Sequence, residues 1–142
     1  MKENINFLLS VFAVAIFVAG CPRFGHFYEE DLGNGYAVWA TDVMEEAAVF
    51  KKNKRGPSGG VEVVPSVVFA YGWNDDFILA KQHPVKDFTK VDASITNWYI
   101  VEVASGNVHG PLDEGEFNKL KAELKVPAGL SFKKTISFKT RQ

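Results

Sequence analysis

Residues 66–81, SVVFAYGWNDDFILAK, decide the fold predicted for this chain. Residues 66–72 are rich in β-branched and aromatic side chains, which favour strands, and Pro65 before them marks a strand start, bulge or edge because it cannot donate to a β-ladder. Asn and Asp side chains bond to nearby backbone groups, so residues 73–76 predict a tight turn. Residues 77–81 return as a second strand. The stretch therefore predicts an antiparallel hairpin at the centre of a sheet.

Further strands are predicted on both sides of this hairpin. Residues 36–40 follow an Asn-Gly turn dipeptide and are rich in aromatic and β-branched residues. Residues 96–104 alternate with the period of a strand. Residues 130–132 and 135–138 do so as well, and they form either a final strand or a bent pair. A return strand that starts at Val108 is expected to stop at Gly110-Pro111, and residues 82–94 are expected to form a polar connector.

Residues 42–52 fit two structures. Asp42 and Glu45 have the spacing of a helix capping box. Residues 46–52 also fit a strand that leads into a basic loop over residues 51–60, and we favour the strand.

One helix is predicted over residues 112–125. Asp113 and Glu116 have the spacing of a capping box, in which each side chain accepts from the other residue's backbone N–H. The apolar positions recur with helical spacing at Phe117, Leu120 and Leu124. Together these elements predict an α+β fold, in which an antiparallel sheet of about five or six strands carries this C-terminal amphipathic helix.

The N-terminus carries an export pattern. Residues 7–20 are apolar but fewer than the roughly 20 residues that span a bilayer, which favours a signal peptide. The lone cysteine, Cys21, ends the run Val-Ala-Gly-Cys, which resembles the lipobox of bacterial lipoproteins. In that class the cysteine sulfur receives a diacylglycerol and the chain is cut just before it. We expect cleavage between Gly20 and Cys21; a secreted protein or an uncleaved anchor is the alternative.

This pattern divides the chain into three parts. Residues 1–20 are the predicted signal peptide, residues 21–33 the lipidated N-terminus and tether, and residues 34–142 one globular domain. Pro22 stands where an Asp resembles an inner-membrane retention signal, so we expect the outer membrane if the source is Gram-negative.

Composition narrows the classes of function. An apolar content of 46% and an aromatic content of 13% are typical of a packed domain. The net charge is −1, so no basic surplus favours nucleic acid as a partner. Acylation of Cys21 would leave no thiol for a disulfide or a nucleophile.

No catalytic or metal-binding pattern stands out. The histidines at 26, 83 and 109 lack the spacing of known metal motifs, and no nucleophile elbow or phosphate-binding loop is present. Asp75 and Asp76 are adjacent, which favours a turn over calcium ligation or a catalytic pair. We therefore predict no catalytic residue, no metal and no cofactor.

Two roles are open for the aromatic residues of the predicted strands: they fill the core, or they form a binding face. Large aromatic side chains most often fill the core of a small sheet, but any that stay exposed would form a binding patch. The residues assigned to this candidate binding face are Tyr71, Trp73, Asp75, Asp76 and Trp98.

Several segments together resemble a known family. They are Gly33-Asn34-Gly35-Tyr36, residues 71–82, Trp98-Tyr99-Ile100-Val101, Gly110-Pro111-Leu112 and Glu116-Phe117. The set resembles a family of small bacterial lipoproteins catalogued only as a domain of unknown function. The resemblance implies a compact β-rich domain with one C-terminal helix and a lipid anchor, and it carries no established activity.

Three functions are consistent with these observations. The first is a non-enzymatic cell-envelope lipoprotein, held on the membrane by its lipid, that binds an envelope protein or peptide. The second is an inhibitor or immunity-type protein that acts on an envelope enzyme through the loop over residues 51–60. The third is a hydrolase that uses Asp75, Asp76 and His83.

Overall fold

The fold is a two-sheet β-sandwich with one α-helix, seen in a computed structural model that describes residues 27–53, 59–87 and 90–138. The described residues form eleven strands in three antiparallel sheets. In chain order the elements are β1 (Tyr28–Gly33), β2 (Tyr36–Ala40), a 3-10 helix (Met44–Glu46), β3 (Ala48–Lys52), β4 (Gly60–Val64), β5 (Val68–Trp73), β6 (Phe77–Gln82), β7 (Val85–Lys86), β8 (Lys90–Val91), β9 (Asn97–Glu102), β10 (Val108–Leu112), α1 (Glu114–Glu123) and β11 (Lys134–Thr135).

The expectation of a single sheet of five or six strands is corrected. A four-stranded sheet has the order β1-β2-β3-β4, a five-stranded sheet has the order β10-β9-β6-β5-β11, and β7 pairs with β8 in a small hairpin. The chain passes from the first sheet to the second at residues 65–67. Val67 has a φ of 71°, a left-handed conformation that is rare for a β-branched residue, and this turn separates β4 from β5. An antiparallel sheet with one packed helix is confirmed.

The main core lies between the two large sheets. Side chains alternate along each strand, so each sheet buries one row of residues against the other. The hydroxyl groups of Tyr28 in β1 and Tyr71 in β5 form a hydrogen bond across this interface. The buried residues of the core are Leu32, Tyr36, Val38, Ala40, Ala47, Val49, Val64, Val68, Tyr71, Ile78, Ala80, Tyr99, Val101 and Ile136.

A second core lies on the other face of the five-stranded sheet, under α1. Phe117 packs there with Leu79, Ile100 and Leu130. The segment after the helix crosses β5 so closely that a Cβ on Gly72 would overlap the Ser131 carbonyl oxygen, which explains the glycine in this strand.

The capping box of the helix is confirmed. Asp113 Oδ1 accepts from the Glu116 N–H at 2.8 Å, and Glu116 Oε2 accepts from the Asp113 N–H at 2.9 Å. The helix runs from Glu114 to Glu123, inside the predicted range. Among the described residues no helix is long and apolar enough to cross a membrane.

The structure contains strands that the sequence did not predict. Tyr28–Gly33 lies in the predicted tether but pairs with β2. Gly60–Val64 pairs with β3, β7 and β8 lie in the predicted connector, and β10 continues past Gly110-Pro111 to Leu112. Over residues 42–52 the favoured strand is found as β3, while the helix alternative with its Asp42 capping box is not, because only a three-residue 3-10 helix without a side-chain cap precedes the strand.

The strands place their connections at two opposite ends of the sandwich. One end, which we call the turn end, carries the turns at residues 33–35, 74–76 and 103–107. Asn34 Nδ2 donates to the Asp75 carbonyl oxygen at 3.4 Å, and the Val103 N–H donates to the Asp76 carbonyl oxygen at 2.9 Å. The other end, which we call the hairpin end, carries residues 41–47, 65–67 and 83–96.

Candidate functional site

The structure separates the five residues of the predicted binding face. Trp73, Asp75 and Asp76 lie together at the turn end. Tyr71 is fully buried between the sheets, and burial raises the pKa of its phenol, assisted by the hydrogen bond to Tyr28. Trp98 lies on the opposite face of the five-stranded sheet, in the core under α1. Only the first three residues are placed to contact one ligand.

The turn that holds the two aspartates is built by its asparagine. Asn74 Oδ1 accepts from the Asp76 N–H at 2.9 Å and from the Phe77 N–H at 2.7 Å. This is the local side-chain bonding expected of a tight turn. Asp75 and Asp76 are therefore left exposed, with both carboxylates in contact with solvent.

Trp73 is half-buried beside this turn. Its ring stacks on Tyr71 with centroids 5.9 Å apart. The ammonium of Lys133 lies 5.3 Å from the ring centroid and donates to the Trp73 carbonyl oxygen at 2.9 Å. A cation over an aromatic face is attracted by the ring quadrupole, so Lys133 holds the indole in one orientation.

Trp98 belongs to an aromatic cluster with a structural role. Its ring centroid lies 4.8 Å from that of Phe117 and 5.7 Å from that of Phe132. Lys81 Nζ lies 3.9 Å from the Trp98 centroid and 4.6 Å from the Phe132 centroid. The cluster fixes α1 and the segment after it against β6 and β9.

Sequence reasoning did not identify a second polar group at the turn end. Tyr36 is 1% exposed, and its buried hydroxyl has no hydrogen-bond partner among the residues that the structure describes. Lys51 Nζ lies 5.4 Å from the Tyr36 ring centroid and 3.1 Å from the position of a Cβ on Gly106. The two residues are opposite each other in the β2–β3 register. The sequence alone does not show this register, so the contact becomes visible only in the folded structure.

Lys52, the next residue in the chain, forms ion pairs with two carboxylates. Its ammonium lies 2.9 Å from Asp31 Oδ2 and 3.8 Å from Glu29 Oε1. Asp31 also accepts from the Gly33 N–H at 2.8 Å. These bonds to Lys52 and Gly33 lower the pKa of Asp31, and they fix the β1–β2 turn.

A histidine–carboxylate pair lies on the β9–β10 hairpin. Glu102 Oε1 accepts from Asn107 Nδ2 at 3.3 Å and lies 2.8 Å from His109 Nε2. The hydrogen bond from His109, followed by that from Asn107, lowers the pKa of Glu102. Glu102 and His109 are brought together by the β9–β10 register, which the spacing of these two residues in the sequence does not reveal.

The groups proposed for a hydrolase do not meet. Asp75 and Asp76 precede β6, and His83 follows its last residue, so a strand of six residues separates them. At about 3.3 Å per residue, that strand separates them by roughly 20 Å. His83 stacks on Phe69 with centroids 4.1 Å apart, and its Nδ1 lies 2.7 Å from the Ile95 carbonyl oxygen. Within the described ranges, no three His, Cys, Asp or Glu side chains could hold a metal ion together.

Some predicted residues lie outside the described part of the chain. They include Gly20, Cys21 and His26. Of the basic loop predicted over residues 51–60, Lys51 and Lys52 belong to β3 and Gly60 to β4, while residues 54–58 lie outside the description. Lipidation and the inhibitor role of this loop stay predictions.

One comparison with known proteins identifies relatives. Residues 33–137 match the model of a family described as "Protein of unknown function (DUF3997)". The matched range contains β2 to β11, α1 and the turn end, and it begins after Cys21. Comparison with curated proteins and with solved structures found no match.

Proposed function

We propose that this chain, which belongs to the DUF3997 family of proteins of unknown function, is a lipid-anchored cell-envelope protein that binds a partner without catalysing a reaction. The observation that carries the proposal is the Val-Ala-Gly-Cys run at residues 18–21, in which Cys21 directly follows the apolar residues 7–20. A signal of this length followed by the only cysteine is typical of a lipoprotein precursor.

Lipidation would account for attachment without a spanning helix. Each buried methylene contributes about 0.8 kcal/mol, and two acyl chains are enough for lasting attachment. The outer membrane is the proposed location in a Gram-negative source, because Pro22 occupies the position of the retention signal.

The turn end supports binding better than catalysis. Trp73 ends β5 there, and Asp75 and Asp76 lie on the turn that follows it. Binding residues are often carried by loops that a rigid scaffold positions. Across the same end, the exposed Lys51 ammonium offers hydrogen-bond donors. Because donors, carboxylates and an indole occur there, and the described residues of this end include no nucleophile–base pair, we assign the turn end to recognition of an envelope protein or peptide.

Metabolic labelling with a fatty-acid probe tests the anchor. We expect label on the wild-type chain and on a matched Pro22→Ala variant, which keeps the cysteine. Cys21→Ser should carry no label and should migrate as the uncut precursor. Equal labelling of the wild type and Cys21→Ser, or no labelling of either, would refute the lipoprotein proposal.

Photo-crosslinking in the same cells tests the binding surface. A crosslinking residue at Asp75 should give a discrete adduct with an envelope protein or peptide, while one at Thr41, at the hairpin end, should not give that adduct. An identical adduct pattern from the two positions, or no adduct at Asp75, would contradict a binding role for the turn end.

A further inference from the structure

Exposed hydrophobic side chains are concentrated at the hairpin end. Six large ones are exposed among the described residues: Phe27, Val43, Val61, Val85, Ile95 and Val108. Four of them lie at the hairpin end. The other two, Val61 and Val108, lie on the edge strands β4 and β10, toward the turn end. Phe27 is the most exposed of the six, at 64%.

The segments that carry these four residues are connected across the hairpin end. The Phe27 N–H donates to the Thr41 carbonyl oxygen at 3.2 Å, which connects the start of the described chain to the segment of Val43. That segment continues to the Glu45 carbonyl oxygen, which accepts from the Val67 N–H at 3.0 Å. The four side chains therefore occupy one end of the molecule instead of being scattered.

The small hairpin completes this connection. The His83 N–H donates to the Val67 carbonyl oxygen at 3.1 Å, and His83 Nδ1 lies 2.7 Å from the Ile95 carbonyl oxygen. Val85 lies in β7, two residues beyond His83. A series of hydrogen bonds thus links the segment of Phe27 to the segment of Ile95 within the hairpin end.

The predicted lipid is attached close to the same end. Cys21 precedes Phe27 by six residues in the chain, and six fully extended residues reach at most about 20 Å. Any diacylglycerol on Cys21 would therefore hold the hairpin end near the bilayer. The turn end lies beyond strands of five or six residues.

We propose that the hairpin end is a membrane-contact surface, with Phe27, Val43, Val85 and Ile95 resting at the boundary between lipid headgroups and acyl chains. This inference rests on the proposed lipid anchor and adds an orientation to it, in which the turn end faces away from the membrane. Exposed apolar patches mark membrane or protein contacts. Because the tether from Cys21 is short, the membrane is the surface that this patch contacts.

The charges around the surface indicate that apolar burial drives the contact. Lys86 on β7 is paired with Asp92, so this lysine is not free to attract anionic headgroups. Asp42, Glu45 and Glu46 flank Val43 and add negative charge. Lys90, exposed on β8, offsets part of this negative charge, so the contact should be about as strong on zwitterionic vesicles as on anionic ones.

Single-cysteine reporters test the orientation, because the only native cysteine is the residue that the lipid would block. The lipidated chain is placed in phosphatidylcholine vesicles that contain a lipid-linked quencher. Val85→Cys and Ile95→Cys carry a polarity-sensitive dye at the hairpin end. The matched controls are Val61→Cys and Val108→Cys, exposed valines that lie toward the turn end.

We expect the hairpin-end dyes to be quenched at least several-fold more strongly than the control dyes, with little change when anionic lipid replaces part of the phosphatidylcholine. Equal quenching at the two ends, or stronger quenching at Val61 and Val108, would overturn the orientation. If fatty-acid labelling shows no lipid on Cys21, both proposals fail. If labelling succeeds and the hairpin-end dyes are not quenched, only the orientation fails.

Discussion

At the scale of single residues, Glu102 shows how one carboxylate stabilises a turn. It lies at the end of β9 and interacts with Asn107 and His109 on the far side of the β9–β10 connection. Hydrogen bonds to the charged form of a carboxylate lower its pKa, as is found for Glu102. The protonation of Glu102 is therefore linked to the stability of the β9–β10 hairpin.

Substitution Glu102→Gln should change how stability depends on pH. A carboxyl group whose pKa is lower in the folded state stabilises the protein above its unfolded pKa, here near 4.5. That stabilisation is lost as the pH falls through the folded pKa. We expect the wild type to unfold at a higher temperature than the variant at pH 6, with a difference that shrinks toward pH 3.

Thermal unfolding at pH 6, 4.5 and 3 makes this measurement. Glu114→Gln, on the exposed first turn of α1, is the control for loss of a glutamate charge. A stability difference for Glu102→Gln that stayed constant over the three pH values would contradict the assigned role.

At the scale of elements, the helix and the strands depend on different information. The N-terminal end of α1 follows from Asp113 and Glu116, which lie three residues apart and are identified from sequence. Strand β1 contains Glu29, Glu30 and Asp31, which suggested a solvated tether. It is a strand because β2 pairs with it and Lys52 neutralises Asp31 across the sheet.

Substitution Asp113→Ala should destabilise the protein through the helix N-terminus. Loss of an N-cap side chain costs about 0.5–2 kcal/mol of unfolding free energy. Asn is also a good N-cap residue, so Asp113→Asn should cost much less. The midpoints of urea unfolding compare the three proteins, and equal losses for the two variants would show that the cap hydrogen bond is not the cause.

At the scale of the whole molecule, the two large sheets depend on one shared core. Val49 and Val64 of the first sheet pack in the same cluster as Ile78 and Val101 of the second. Within the described part of the chain, neither sheet has another partner for this apolar face. Burial of such side chains, at about 1.5–3 kcal/mol each, is the main force that holds the sheets together.

The domain should therefore unfold in one cooperative step. Tryptophans lie in both sheets, at Trp39 in the first and at Trp73 and Trp98 in the second. We expect the transitions by tryptophan fluorescence and far-UV circular dichroism to coincide. Val49→Ala and Ile78→Ala, one in each sheet, should shift both signals together, the second by about 2–5 kcal/mol. Separate transitions would contradict a shared core.

Local patterns were enough to predict the central hairpin, β2, β9 and the helix, because alternation, turn residues and capping act over a few positions. They also predicted that Trp73, Asp75 and Asp76 are neighbours. Tertiary structure decided that the strands divide into two sheets at Val67, that Tyr71 is buried and that Tyr36 lies beside Lys51. These outcomes depend on which distant strands pair and which faces bury each other, and no short segment contains that information.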